Sequence, residues 1–465
     1  MICWTNRETA FKNNPTGTLG FVGFFNDGKV IQSVNQEVLR QVALSKGAWD
    51  RVAFVKFAQN FPVHAYNVAS GRLDTGYMRH RRVLNPAFND NLYRHVWEET
   101  VLAFDGLRET AKWSERDVLV LPDLIDLMSA VTLFIIAKVG FGVDLPWDDS
   151  TKGGEAMVLR ESFEVISKNF IWRGLLPEWM FRLPIEGLKK IKFAGDYLLD
   201  DLRAKIKTRR AATKDMAADY SSPEDHDIFG RLLIASDAEV QGQRLDDDEL
   251  ASNTFIMLFA GHETSSKALS ITLGLLACHP EEQEKLYQVV KDVVPEDRAA
   301  AFEDYESLSP LRNAILEALR LYPVAPILFR EAYEDTTLIV PGLPEPLVVE
   351  KGTIFIGDYI GVGWDPTRYP SPSVFIPSRW TSYDVLAADS YVSFGMGIHT
   401  CIGRRFALYE MVCYLALFLR EWRVFPGDLK EGETLSAWRK RVMEDDLGLA
   451  VTIAPQRVPV KLERR

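Results

Sequence analysis

The sequence predicts a mainly α protein with a small β lobe, folded as a single domain over residues 1–465. Three observations lead there. Apolar residues recur at helical spacing through 90–140, 150–170, 186–213 and from 246 to about 279. Alternating, turn-punctuated strand patterns are confined to the first few dozen residues, to 337–357 and to the C-terminal tail. The one polar, charged connector, SSPEDHD at 221–227, lies inside the helical part, so nothing marks off a second domain. Length alone would allow roughly three domains.

Taken in order, GFVGFFNDGKVIQSV reads as a hairpin turning at Asn26-Asp27-Gly28, with a helix beginning near Asn35. RLDTGYMRHRRVLNPAF (72–88) is a basic helix stopped by Pro86. A long helix starts on a run of carboxylates at Asp246, which suits the positive end of a helix dipole, and stops before Pro280. The next starts at Ser309-Pro310, a cap followed by a first-turn proline, and ends before Pro323. TLIVPGLPEPLVVEKGTIFIG (337–357) alternates like short strands, and an irregular proline-rich stretch runs on to about 393. The glycine-rich segment FGMGIHTCIG (394–403) opens the helix RRFALYEMVCYLALFLREW, and LGLAVTIAP and VPVKL read as two final strands.

Composition removes several classes. Hydrophobic content of 47% and aromatic content of 11% supply a core. Fifty-four basic against 65 acidic residues give a net charge of −11, which argues against general nucleic-acid binding. Four cysteines (Cys3, Cys278, Cys401, Cys413), none spaced as CxxC, make neither a disulfide framework nor a zinc site. The N-terminus has no signal-peptide core. The longest apolar run considered, Leu269–Cys278, falls short of the ~18 residues a membrane span needs.

Cys401 carries the chemistry. A thiol just before a helix N-terminus is shifted toward thiolate from its ordinary pKa of about 8.5. Gly395, Gly397 and Gly403 allow tight turns and let a flat partner approach the backbone. With no second ligand nearby in sequence, that pattern suits an axial ligand to haem iron. The alternative is a small buried hydrophobe beside a glycine turn.

With this pattern the chain resembles the cytochrome P-450 family of haem-thiolate monooxygenases. Phe394, Gly397, Cys401 and Gly403 match the signature F-x-x-G-x-R-x-C-x-G, with His399 where arginine is usual. Ala260-Gly261-His262-Glu263-Thr264-Ser265 matches A-G-x-[DE]-T-[TS] in the long helix. Ala260 and Thr264, four apart, share a face. The resemblance implies that they border the oxygen site and that Thr264 relays protons with Glu263 behind it. Thr264 can instead merely bond back to a carbonyl and bend the helix. Glu317-x-x-Arg320, with Arg379 of FIPSRW, is similar to the family's buried triad. Tyr77 and Arg81 stand where the family has W-x-x-x-R, and Arg330 follows ExxR by ten residues.

The resemblance implies the cytochrome P-450 fold, with haem b between the long helix and the cysteine-loop helix. Cys401 would be the iron ligand, with Tyr77, Arg81, Arg330 and His399 as donors to the haem propionates. The implied activity is oxidation, with O2, of a small lipophilic molecule, in the manner of secondary metabolism in the fungal-like branch. Electrons would come from NADPH through NADPH–cytochrome P-450 reductase, with Arg82, Arg404 and Arg405 as docking contacts. By region, pocket-wall candidates are Phe61, Val63, Tyr66, Phe259, Val324, Ile327, Leu328, Leu447 and Leu449. IWRGLLPEWMFRLP (171–184) falls at the family's lid loop, where Trp179 and Phe181 are candidates to touch a membrane surface. A monomer at the endoplasmic reticulum surface, with the family's anchor and hinge absent from this chain, is expected; a complete N-terminus would make it cytoplasmic. Two other functions remain open: a haem-thiolate isomerase or dehydratase needing no external electrons, and a non-catalytic haem-binding relic.

Overall fold

The computed structural model describes residues 11, 14–22, 28–45, 47–52, 65–145, 155–215, 227–238, 244–296, 298–382, 391–449 and 452–465. The chain forms two compact units, Met1–Val55 with Leu316–Cys401, and Lys56–Ile315 with Ile402–Arg465.

The first unit is built on a five-stranded sheet in the order Thr18–Val22, Lys29–Ser33, Ile354–Asp358, Ile327–Ala332, Trp49–Asp50. Its first two strands pair antiparallel as expected, in the register Thr18↔Ser33 to Val22↔Lys29, while Asn26 and Asp27 of the expected turn lie outside the described residues. The helix Gln36–Leu44 follows, capped by the Asn35 side chain, which accepts from the Glu37 and Val38 amides. Such a cap satisfies donors that a first turn otherwise leaves orphaned. This helix buries Val38, Leu39 and Val42 with Trp49, Leu328 and Phe355 in one core. Glycine at 357 suits this core, because a Cβ would crowd Leu39 Cγ at 3.0 Å. Thr336–Leu338 and Leu347–Val349 form a second small hairpin. Within the stretch expected to be irregular, Tyr359–Gly363 is a short helix, capped by Asp358 accepting from the Gly361 amide at 3.0 Å.

In the second unit the long helix runs Asp247–Cys278. Asp246 accepts from the Glu249 amide at 2.8 Å and Glu249 accepts from the Asp246 amide at 3.1 Å, so the carboxylate run forms a reciprocal capping box. The helix lies against Leu124–Phe141, where Thr132 Oγ1 donates to the His262 carbonyl at 3.1 Å. Leu124–Phe141 corrects the hydropathy reading. Its 18 residues have a mean hydropathy of 2.0, enough by length and composition to cross a membrane, but 67% of it is buried inside the protein. Its two charges, Asp126 and Lys138, had broken the pattern in the sequence.

The helix Arg404–Glu421 packs against Asp90–Thr110 through rings, Tyr93 stacking on Tyr409 at 5.3 Å and Phe104 meeting Tyr414 edge-on at 5.6 Å. Three short strands, Val118–Leu121, Val460–Arg464 and Trp422–Pro426, make a sheet. LGLAVTIAP is two strands rather than one, Leu447–Leu449 pairing with Ile453–Pro455. Asp227, at the end of the expected linker, is buried and held by Arg209 through both oxygens, at 2.7 and 2.6 Å. Residues 221–226 lie outside the described residues.

Candidate active site

Cys401 closes a tight loop. Val392–Phe394 and Gly397–His399 are single 3-10 turns, and the Cys401 amide donates to the Phe394 carbonyl at 2.8 Å. Gly395 and Gly397 have φ of +74° and +66°, a conformation that costs an L residue but not glycine. Gly397 is doubly constrained, since a Cβ there would lie 2.5 Å from the Ala43 carbonyl oxygen. Gly403 caps the following helix, and a Cβ on it would meet nothing within 4 Å. Among the described cysteines Cys401 alone is exposed. Burial pushes the Cys278 thiol up to about 12 and raises that of Cys413, so neither is a ready thiolate.

His399 sits in the same loop, its Nε2 3.2 Å from Asp50 Oδ1. Burial lowers its pKa to about 4, with Asp50 opposing that shift, so the imidazole is neutral near pH 7. Arg330 is buried, donates to the Phe329 carbonyl at 2.7 Å, and is close enough for its charge to act on His399. Asp50 was not foreseen, because nothing local marks a carboxylate some 350 residues away as a partner.

Glu317 is fully buried and accepts from five donors. On Oε1 these are Arg320 Nη2 at 2.8 Å, the Ile376 amide at 3.0 Å and Arg379 Nε at 3.2 Å. On Oε2 they are Arg320 Nε at 2.8 Å and Trp380 Nε1 at 3.0 Å. Arg320 uses its remaining capacity on the carbonyls of Gly363, Pro372 and Val374, at 2.5, 2.8 and 3.2 Å. Its guanidinium also lies 5.0 Å from the Tyr369 ring centroid. An i,i+3 pair of little value on a surface thus ties the end of one helix to the last carbonyl of the short helix Tyr359–Gly363 and to two loop carbonyls.

In the long helix, burial is nearly continuous except at one stripe. Ala260 is exposed and Thr264 half-exposed, while their neighbours Phe259, His262, Glu263 and Ser265 are buried. Thr264 Oγ1 donates to the Ala260 carbonyl at 2.8 Å, the local back-bond that both readings of this residue allow. Gly261 serves helix packing: a Cβ would lie 3.2 Å from Ile136 Cδ1. His262 Nε2 and Ser129 Oγ are 2.7 Å apart, and burial lowers the histidine pKa to about 3. Glu263 is not turned to water. Its Oε1 accepts from Lys267 Nζ at 2.6 Å and from Thr452 Oγ1 at 2.6 Å. Lys267, four residues on, was visible in the sequence as an i,i+4 partner; Thr452 was not.

The basic helix is Tyr77–Leu84. Tyr77 is fully buried, Arg81 half-buried and Arg82 exposed. Arg79 is not a free surface charge: it pairs with Glu249 and donates to the Arg244 carbonyl at 3.0 Å. Between them, His80 Nδ1 lies 2.9 Å from Asn253 Nδ2, which fixes this helix to the long one.

Of the pocket-wall candidates, Phe61 and Val63 lie outside the described residues. Phe259 stacks on Phe170 at 4.3 Å. Leu328 and Val324 are buried, Leu328 in the core of the sheet-bearing unit, whereas Ile327, Tyr66 and Leu447 are half-exposed. Leu449 is placed on its strand only.

Glu410, on the helix after the cysteine loop, carried no sequence signal. It is fully buried, and neither carboxyl oxygen has a hydrogen-bond partner at normal distance among the described residues. Burial raises its pKa to about 8, with Ser265 of the long helix pulling the other way. The folded state therefore keeps a proton that the unfolded chain, with an ordinary pKa of about 4.3, releases. That contribution is intact below pH ~4 and is lost as pH rises toward 8, at up to about 1.4 kcal/mol per pH unit. Glu410→Gln removes the titration. Its melting temperature relative to the unsubstituted protein is expected to climb steadily from pH 5 to pH 8, and a pH-independent difference would refute the neutral-acid assignment.

The family model described as Cytochrome P-450 matches residues 32–445. Cytochrome P-450 monooxygenase 124 of Postia placenta is 30% identical over 99% of this chain and 88% of its own length. Leukotriene-B4 omega-hydroxylase 3 of Mus musculus is 26% identical over 76% of the chain and 67% of its own. Cyclooctat-9-en-7-ol 5-monooxygenase of Streptomyces melanosporofaciens is 27% identical over 84% and 79%. Among solved structures, the cytochrome P-450DA heme domain superposes with a TM-score of 0.77 at 20% identity, covering 99% of this chain and 92% of that one. The chain belongs to the cytochrome P-450 family and has its fold. It is a haem-thiolate monooxygenase, an oxidoreductase that uses O2.

Proposed function

We propose that Cys401 is the haem-iron ligand, and that the protein hydroxylates or similarly oxidises a small lipophilic molecule with electrons from NADPH through a reductase. The observation that carries this reading is the cysteine loop. It offers an exposed thiol, a backbone folded by left-handed glycines, and an open approach over Gly403 where a Cβ would touch nothing. These residues fit a thiolate-ligated haem, which when bound supplies the oxygen-activating chemistry.

The chain does the rest. Arg330, His399, Tyr77 and Arg81 are the proposed donors to the propionates; the one N–H of a neutral His399 faces Asp50, so for this residue the role requires the doubly protonated ring. Ala260 keeps its stretch of the long helix free of bulk. Thr264, able to swing its hydroxyl off the Ala260 carbonyl, hands protons inward. Tyr66, Phe259, Val324, Ile327 and Leu447 are proposed for the pocket wall, and the apolar character of all but the Tyr66 hydroxyl sets the substrate class. That a leukotriene and a cyclooctatenol appear in relatives' names supports a lipophilic substrate, and the second of them is in keeping with secondary metabolism. Thr264→Ala is expected to leave fold and haem spectrum intact while the NADPH consumed per product rises about tenfold or more, within the ceiling of ~10²–10⁴-fold set by general acid–base effects. An unchanged ratio would remove Thr264 from the relay.

Reductase docking is proposed at Arg404, Arg405 and Arg82 by charge steering. Arg405 is already engaged, with Asp90 at 3.3 Å and stacked over Tyr93 at 4.7 Å. Peripheral membrane contact through 171–184, in one monomeric catalytic domain at the endoplasmic reticulum surface, belongs to the same reading. Here the expected contacts are revised. Phe181 is buried under Arg173, whose guanidinium lies 4.7 Å from the ring centroid, while Trp172, Trp179, Ile185 and Phe193 are exposed. Trp172→Ser with Trp179→Ser should reduce sedimentation with liposomes several-fold; unchanged sedimentation would exclude this surface.

A further inference from the structure

The acid of the long helix is held from two sides. Lys267 Nζ donates to Glu263 Oε1 at 2.6 Å and also to Thr452 Oγ1, and the Thr452 hydroxyl reaches the same Oε1 at 2.6 Å. Glu263 and Thr452 are buried, at 7% and 3% exposure. Glu263 Oε2 is also buried, with no partner among the described residues. The acid that the proposed reaction needs is therefore directed neither at bulk water nor at the Ala260–Thr264 stripe. It is tied beside the strand Ile453–Pro455, which Thr452 immediately precedes. A buried carboxylate with a cation on one oxygen is stabilised where it stands, and moving it away breaks both bonds at once.

We propose that Lys267 and Thr452 are positioning residues that hold Glu263 off the proton path, so that delivery to Thr264 begins only when this clamp lets go. The proposal rests on the relay reading above and adds to it the group that restrains the relay. Neither clamp residue touches the reacting atoms. Each acts through Glu263, and the oxidation remains that of the established activity.

The test compares the holoenzyme with Lys267→Met, Lys267→Arg, Thr452→Val and Glu263→Gln, and with the double variant Lys267→Met/Glu263→Gln. With reductase but no substrate, Lys267→Met is expected to oxidise NADPH about tenfold faster than the unsubstituted enzyme, and Thr452→Val to do so by a smaller factor. Lys267→Arg, which keeps the cation, should stay within about twofold. The double variant should fall back to the rate of Glu263→Gln, which a general loosening of the fold would not produce. Independently of turnover, the Ile453 and Ala454 amides should exchange faster in Lys267→Met and Thr452→Val. An unchanged NADPH rate in Lys267→Met, a fast rate that survives in the double variant, or unaltered exchange at Ile453 and Ala454 would each overturn the clamp. The carbon monoxide difference band of each variant is read alongside. Its presence at the thiolate position leaves the monooxygenase reading standing even where the clamp fails.

Discussion

Glu317→Ala yields little folded, haem-containing protein. The substitution removes a fully buried carboxylate that accepts from Arg320, Arg379, Trp380 and the Ile376 amide, and it leaves the Arg320 charge buried. Breaking a buried pair from one side costs about 3–5 kcal/mol, a large fraction of the ~5–15 kcal/mol that holds a typical domain together. Arg320 also anchors the carbonyls of Gly363, Pro372 and Val374, so the damage should spread along the loops of the sheet-bearing unit. Soluble yield, haem content per protein and melting temperature are the measurements. Glu317→Gln should retain part of the network, because its amide oxygen still accepts. A Glu317→Ala protein of normal melting temperature and full haem content would contradict the structural role.

The second large effect is at Cys401. Cys401→Ser keeps a small polar side chain in a loop whose shape is set by Gly395, Gly397 and the Phe394 carbonyl, so the fold should persist. A serine hydroxyl is a far weaker ligand and is not ionised near pH 7. Turnover should drop below detection while the apoprotein keeps its melting temperature within a few degrees. Neither Cys278 nor Cys413 can substitute, since both are buried and their thiols are held protonated. Residual oxidation above a few per cent in Cys401→Ser would count heavily against the assignment.

Much of this was legible in the sequence because it is local. The Asn35 cap, the carboxylate cap of the long helix, the first hairpin and the cysteine loop are written in short windows, and the family motifs fall in such windows too. Longer-range features were not. Glu263 and Lys267 are four apart and readable as a pair, but Thr452 joins them across 185 residues. His399 meets Asp50 across 349. Glu410 sits in an apolar helix where one acid carries no periodic signal, and only burial shows that it is neutral.

Orientation was a further obstacle. WRGLLPEWMFR does not reveal that Phe181 turns inward while Trp179 stays out. The short strand Val118–Leu121 and the five-residue helix Tyr359–Gly363 are too brief for periodicity to register. LGLAVTIAP reads as one apolar run, whereas its two ends, Leu447–Leu449 and Ile453–Pro455, pair with each other as separate strands.

The central claim is a sulfur-ligated haem at Cys401, and the reduced–carbon monoxide difference spectrum of the purified holoprotein tests it most directly. A band at the position characteristic of thiolate-ligated haem, absent from Cys401→Ser, is the predicted result. A band where nitrogen-ligated haem absorbs, or a thiolate band that survives in Cys401→Ser, would contradict it.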